Sequence, residues 1–220
     1  MRLSVNRQTL IRISKSTIGV NTLYLALSQF SSILLQLVIL SYSVRVLNPS
    51  GWGQVIYITT LANIVSWISN WGFYLEGIQK ISRNRTRKLI VGRYLYQGMT
   101  SQFAIAIILA FIVTVYLLCT GMHQELRLFV CVYPFLLANI LTPLWFYSGL
   151  ERFKMVALLT LLPKLIFMPL MFIYVKSSND VVQYLALNSL SFLLPSLFVV
   201  FSISSEFRFN RAYSAPLGVI

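Results

Sequence analysis

From Met155 to Tyr174 the sequence reads MVALLTLLPKLIFMPLMFIY, a run broken by a single charge. As a helix it rises about 30 Å, the thickness of a bilayer's hydrocarbon core. Lys164 falls near its middle, between Pro163 and Pro169. Such a run suits either the interior of a large soluble protein or a membrane span, and composition decides between them. The 220 residues are 57% hydrophobic and 10% charged, which soluble domains do not show and multi-span proteins do. Spans of about 20 residues with short connections leave room for about six helices and no soluble domain. The expected fold is all-α: a polytopic membrane protein with one six-transmembrane-helix bundle.

A basic lead-in over residues 1–19 carries Arg2, Arg7, Arg12 and Lys15 among apolar residues and suits the membrane surface. No cleavable signal peptide is expected, because the apolar stretch that follows is far longer than the roughly 7–15 residues of such a segment. The spans are expected at about 20–44, 54–75, 97–119, 126–147, 149–175 and 181–203, with a tail over 204–220. The first carries Ser28, Gln29, Ser31, Ser32 and Gln36, so one face should meet protein or water. Asn48-Pro49-Ser50-Gly51 marks a tight turn after it. Trp67 and Trp71, one helical turn apart, suit an interfacial anchor or a surface on which a sugar stacks. His123 is read as a solvated loop residue.

The formal net charge is +13. The basic residues lie between apolar runs and form neither a patch nor a recognition helix, so nucleic acid is not an expected partner. They report topology instead. With the N-terminus inside, fourteen of the eighteen basic residues fall on the cytoplasmic side, six of them between Lys80 and Arg93, against Arg45, Arg127 and Lys176 outside. The positive-inside rule therefore makes both termini cytoplasmic. Cys119 and Cys131 have neither CxxC spacing nor partner histidines, so no metal or cofactor is expected. They read as small apolar side chains, with one bridge near the outer face as the alternative.

Lys164 remains inside a span. A charge at the centre of a membrane helix costs about 2.5–3.5 kcal/mol on insertion scales, and such residues face a bundle interior or a wet cavity. The prolines should bend this span and free the carbonyls of Leu159 and Leu165. A helix carbonyl or an acid elsewhere in the bundle is one candidate partner. The five acids, Glu76, Glu125, Glu151, Asp180 and Glu206, all lie at or beyond predicted span ends, so an anionic substrate is the other. Ser148 and Glu151 have capping-box spacing, which gives Glu151 a structural role at the start of the fifth span. Lys164 and Arg45, near the outer mouth, are the candidate anion-binding residues. Asn63, Asn70 and Asn139 are candidates for bonding sugar hydroxyls or neighbouring helices.

Three blocks, Val46 to Gly53, Trp71 to Ser82 and Trp145-Phe146-Tyr147-Ser148-Gly149-Leu150-Glu151-Arg152-Phe153-Lys154, carry a family likeness. With them the chain resembles the polysaccharide-transport branch of the multidrug/oligosaccharidyl-lipid/polysaccharide exporter superfamily, the Wzx-type O-antigen flippases of bacterial inner membranes. The resemblance implies transport of an undecaprenyl-diphosphate-linked oligosaccharide between leaflets, through a cavity between two bundles. Its partners would be a lipid-linked anionic oligosaccharide, membrane lipids and a second six-helix bundle. Family members look about twice this long, and the chain is similar to the N-terminal half alone. A truncated and inactive product is the preferred explanation, with a half-transporter pairing with a copy of itself or a separate half as the other.

Two further functions compete with transport of polysaccharide units. A drug or cation antiporter of the same superfamily wants an acid within a span, and none is evident. A membrane polymerase or ligase wants a sizeable outer loop, whereas the predicted outer connections are only about six to ten residues long. No HExxH, P-loop or nucleophile elbow occurs, so no catalytic residue is assigned.

Overall fold

A computed structural model of the protein describes residues 7–206, with side chains described from residue 22 to residue 203. Arg2, Arg208 and Arg211 lie outside the described residues, and the side chains of Arg7, Arg12 and Lys15 are outside them too. Among the described residues the chain forms helices and no strand: α1 Arg7–Ser69, α2 Phe73–Arg83, α3 Lys88–Cys119, α4 His123–Val130, α5 Tyr133–Leu141, α6 Leu144–Gly149, α7 Phe153–Tyr174 and α8 Val181–Glu206. Five stretches of these are long and apolar enough to cross a membrane.

The first such stretch, Thr22–Ser69, would measure about 70 Å if straight, over twice the hydrocarbon thickness. It is not straight. Asn48 leaves the helical region at φ 60, ψ 163, a conformation that strains any residue other than glycine. Pro49 follows with the fixed φ that suits the first position of a new helix. The predicted turn is therefore a one-residue elbow that divides α1 into two limbs. Gln36 and Asn63, one from each limb, line the same cavity, so the limbs fold back beside one another.

The first limb buries Ser28, Ser32, Ile39, Ser43 and Leu47, a helical stripe of small polar and apolar residues packed against α7. Ser43 donates to the carbonyl of Ile39 at 2.6 Å and to Met171 Sδ at 3.4 Å. Tyr42 donates to the carbonyl of Val175 at 2.8 Å, which pins the elbow to the α7–α8 connection.

Several helix ends do not coincide with the expected span ends. The second span stops at Ser69, short of Leu75, because Gly72 takes φ 79 and the chain turns into α2. The third helix starts at Lys88 instead of residue 97. The fourth span is broken into α4, α5 and α6. Pro134 restarts it in the first turn of α5, and Thr142, which precedes Pro143, is pushed out of the helical region to φ −112, ψ 75. The interruption expected at Pro163 and Pro169 is thus found one span earlier. α7 passes through both of its prolines as one helix.

The capping box is not formed. Ser148 lies within α6, Glu151 has φ 56, and α7 begins after Arg152 without a side-chain cap. The Glu151 carboxylate instead meets Arg85 Nη2 at 2.6 Å, and Arg85 Nε donates to the carbonyl of Gly149 at 3.0 Å. That pairing takes the glutamate away from the helix amide.

Two hydrophobic cores result, one at each end. Leu47, Leu117, Phe129, Met171, Val175 and Val181 belong to the core at the Asn48 end. At the other end Ile81, Leu95, Trp145, Phe146, Leu159 and Val199 pack together. Trp145 is the wedge of this second core. A methyl group at Gly77 of α2 would lie 2.5 Å from Trp145 Cε3, and one at Gly98 of α3 would lie 2.9 Å from Cζ2, so only glycine lets both helices close on the indole.

Candidate functional site

Between the two cores lies the polar middle of the bundle, and Lys164 occupies it. Its Nζ donates to Ser32 Oγ, to the Ser32 carbonyl at 3.3 Å and to Gln36 Oε1 at 2.9 Å. An ammonium has three protons to give, and all three acceptors here are neutral groups of the first limb. The partner is thus a helix carbonyl, as one expectation had it, with a serine hydroxyl and a glutamine amide beside it. Hydrogen bonding is satisfied and the charge is not neutralised.

Three of the five acids are engaged elsewhere. Glu76 pairs with Lys80 one turn along α2, and that ammonium also sits 5.1 Å from the ring centre of Tyr94. The Arg85 guanidinium, by hydrogen bond and by charge, holds the Glu151 carboxyl below the usual carboxylate range. Asp180 accepts from the amides of Lys176 at 2.9 Å and Ser177 at 2.8 Å, which lowers its pKa. Glu125 lies in the first turn of α4, and the Glu206 side chain is outside the described residues.

Lys164 lines two cavities. One, of about 370 Å³, is walled by Trp52, Asn63, Phe135, Tyr184 and Asn188 among others. The second, of about 240 Å³, is walled by Gln29, Asn139, Thr142 and Thr160 with Pro163 and Pro195. Neither wall contains an acid. The lining therefore offers amides, hydroxyls, aromatic faces and one cation. Amides and hydroxyls can exchange hydrogen bonds with a polyol, aromatic faces can carry its apolar side, and the ammonium attracts an anion.

The candidate residues separate in the structure. Asn63 and Asn139 come to the cavities, one to each, with Asn139 Nδ2 donating to the carbonyl of Phe135 at 3.0 Å. Asn70 does not. It donates to the carbonyl of Ser66 at 2.8 Å and accepts from Gln102 Nε2 at 3.0 Å, a contact between α1 and α3. Arg45 is exposed near the elbow and lines neither cavity. Trp67 and Trp71 are 71% and 80% exposed and also lie off both cavities. Cys119 and Cys131 are free thiols. His123 is exposed at the start of α4.

Sequence reasoning marked Ser32 and Gln36 as part of a polar face without pairing them with the lysine. Their spacing of four, on the span predicted to need an internal neighbour, was the available signal. Phe192, which lines both cavities, gave none, being one aromatic residue in an apolar span.

Comparison with known proteins follows the same direction. The sequence profile of the family described as polysaccharide biosynthesis protein matches residues 18–218. An O-antigen transporter of Escherichia coli (strain K12) is 27% identical over 169 residues, which cover 76% of this chain and 41% of that protein. An O-antigen transporter of Shigella dysenteriae is 26% identical over 189 residues, 83% of this chain and 46% of the relative. The chain thus spans less than half the length of these curated relatives. No solved structure matches it.

Proposed function

This chain belongs to the polysaccharide biosynthesis protein family, and we propose from that premise that it helps carry a lipid-linked anionic oligosaccharide across the membrane. It is a multi-pass protein of the bacterial inner membrane. In this reading residues 20–203 cross it six times, the elbow at Asn48 separating the first two crossings, and both termini are cytoplasmic. The cargo is an O-antigen or other polysaccharide repeat unit on undecaprenyl diphosphate. The relatives are more than twice as long as the stretch they share with this chain, and in this reading a second bundle supplies the facing wall. Rocking of the two bundles exposes the site to each side in turn. A chain without that partner would be inactive.

The observation that carries the reading is Lys164, whose charge is hydrogen-bonded, among the described residues, by neutral groups alone. A cation held in a cavity without a counter-ion favours an anionic occupant, and a diphosphate fits that need. Asn63 and Asn139 then serve sugar hydroxyls, while Arg45 near the elbow attracts the anion as it leaves. Asn70 holds α1 to α3. A cation antiporter has less support, because the cavity walls offer no carboxylate.

The test is Lys164→Ala in a transport-competent context, either with its partner bundle or transferred to the corresponding position of a full-length relative, with surface O-antigen measured. Loss of export with normal membrane levels of the protein is expected. Unaltered export would sink the reading.

A further inference from the structure

On the first limb, α5, α7 and α8 the two cavities beside Lys164 follow one another along the bundle, while the second limb, from Trp52 to Asn63, lines the larger one only. On the first limb Gln36 lines the larger one and Ser32 the smaller; on α5 the pair is Phe135 and Asn139; on α8 it is Tyr184 and Pro195. In every pair the first residue is nearer the Asn48 end and the second nearer the Trp145 end. α7 agrees, with Phe167 on one side and Thr160 on the other. Lys164 and Phe192 line both, and Phe192 is held edge-on against Phe135 at 5.1 Å. The partition between the chambers is therefore one aromatic ring and one ammonium.

The ammonium's partners divide in the same way. Ser32 belongs to the chamber at the Trp145 end and Gln36 to the chamber at the Asn48 end. They are four residues apart on one helix, a rise of about 6 Å. A lysine side chain covers that distance by rotamer changes alone, with its α-carbon fixed.

We propose that the chambers are two successive stations for a single phosphate or diphosphate group, with Lys164 as the cation they share. At the Trp145-end station the anion displaces Ser32 from the ammonium. At the Asn48-end station it displaces Gln36, and Phe192 keeps the stations apart. Polar walls beyond each station, Asn139 and Thr160 on one side and Asn63 and Asn188 on the other, hold sugar hydroxyls in either position. This division rests on the reading of Lys164 as the counter-charge of an anionic cargo and adds that the ion is bound twice along its path.

Thr59 and Thr160 report on the chambers separately. Each hydroxyl bonds a carbonyl of its own helix, Val55 at 2.7 Å and Val156 at 3.0 Å, so cysteine replaces either with little disturbance. The purified chain with Cys119→Ser and Cys131→Ser, carrying Thr59→Cys or Thr160→Cys, is placed in lipid nanodiscs. Its alkylation by a small maleimide is timed with and without inorganic pyrophosphate. The expected result is a several-fold slowing at both positions, abolished at both by Lys164→Gln, with each variant's rate compared with its own rate in the absence of pyrophosphate. Slowing at one position only overturns the two stations and leaves Lys164 as a single anion site. Slowing at neither overturns the stations together with the reading they rest on.

Discussion

Gln36 Oε1 lies 2.9 Å from Lys164 Nζ although 128 residues separate the two in the chain. The amide solvates the charge without cancelling it. Replacing the lysine removes the need for that solvation, whereas replacing the glutamine leaves the charge short of a partner. Gln36→Leu should destabilise the protein by about 1.5–3 kcal/mol, the usual worth of a hydrogen bond to a charged group. Lys164→Met should be neutral or stabilising. In the double variant the cost of Gln36→Leu should disappear, and thermal unfolding of the four proteins in detergent measures this as a coupling energy. Additive effects would show that the contact carries no energy.

At the opposite end Trp145 is closed in by Gly77 and Gly98. Gly77→Ala or Gly98→Ala should each cost about 1–3 kcal/mol through overpacking. Trp145→Phe, which shortens the ring on the crowded side, should recover part of the loss in either background. Stability by thermal denaturation, with folded yield as a second readout, checks this.

The Arg85 and Glu151 pair predicts a dependence on acid. The folded-state pKa of Glu151 is lowered, chiefly by the hydrogen bond from Arg85. Its contribution is therefore complete above the ordinary glutamate value of about 4.3 and is lost as pH falls through the lower folded value. Both groups are partly exposed, so the pair is worth less than about 1 kcal/mol. The difference in melting temperature between wild type and Glu151→Gln should be constant from neutral pH to about 5 and shrink below that. A gap that widens in acid would contradict the pairing.

Asn48 tests the elbow. At φ 60, ψ 163, Asn48→Gly should be neutral or stabilising, by up to about 1 kcal/mol, because only glycine takes that conformation without strain, whereas Asn48→Val should cost about 1–2 kcal/mol or more. Melting temperatures of the two variants decide it, and equal effects would mean that this conformation is not populated.

The apolar runs made the helical class legible, because about 20 residues without a charge have few other uses. Lys164 was legible for the same reason, as the exception in such a run. What was not legible depends on contacts between distant residues. Nothing local to Asn70 distinguishes it from Asn63, yet Gln102 on α3 holds the first while the second faces a cavity. Ser148 and Glu151 have the spacing of a cap, and Arg85, far away in sequence, decides that they do not form one. The prolines misled in a more local way. Pro143 breaks its span because Thr142 before it leaves the helical region, whereas Pro163 and Pro169 are absorbed by a helix that continues on both sides.

The elbow at Asn48 also sets how the first two limbs can move. A loop of several residues would act as slack and let each helix tilt alone. A single residue gives none, since Pro49 resumes the helix at once and Tyr42 ties the approach to Val175. The limbs therefore behave as a bent lever with its fulcrum at the α7–α8 connection, and a small change of ψ at one asparagine is amplified over the full height of both arms. Asn63 rides on one arm and Ser32 and Gln36 on the other, so the width of the space around Lys164 is geared to the angle of that lever.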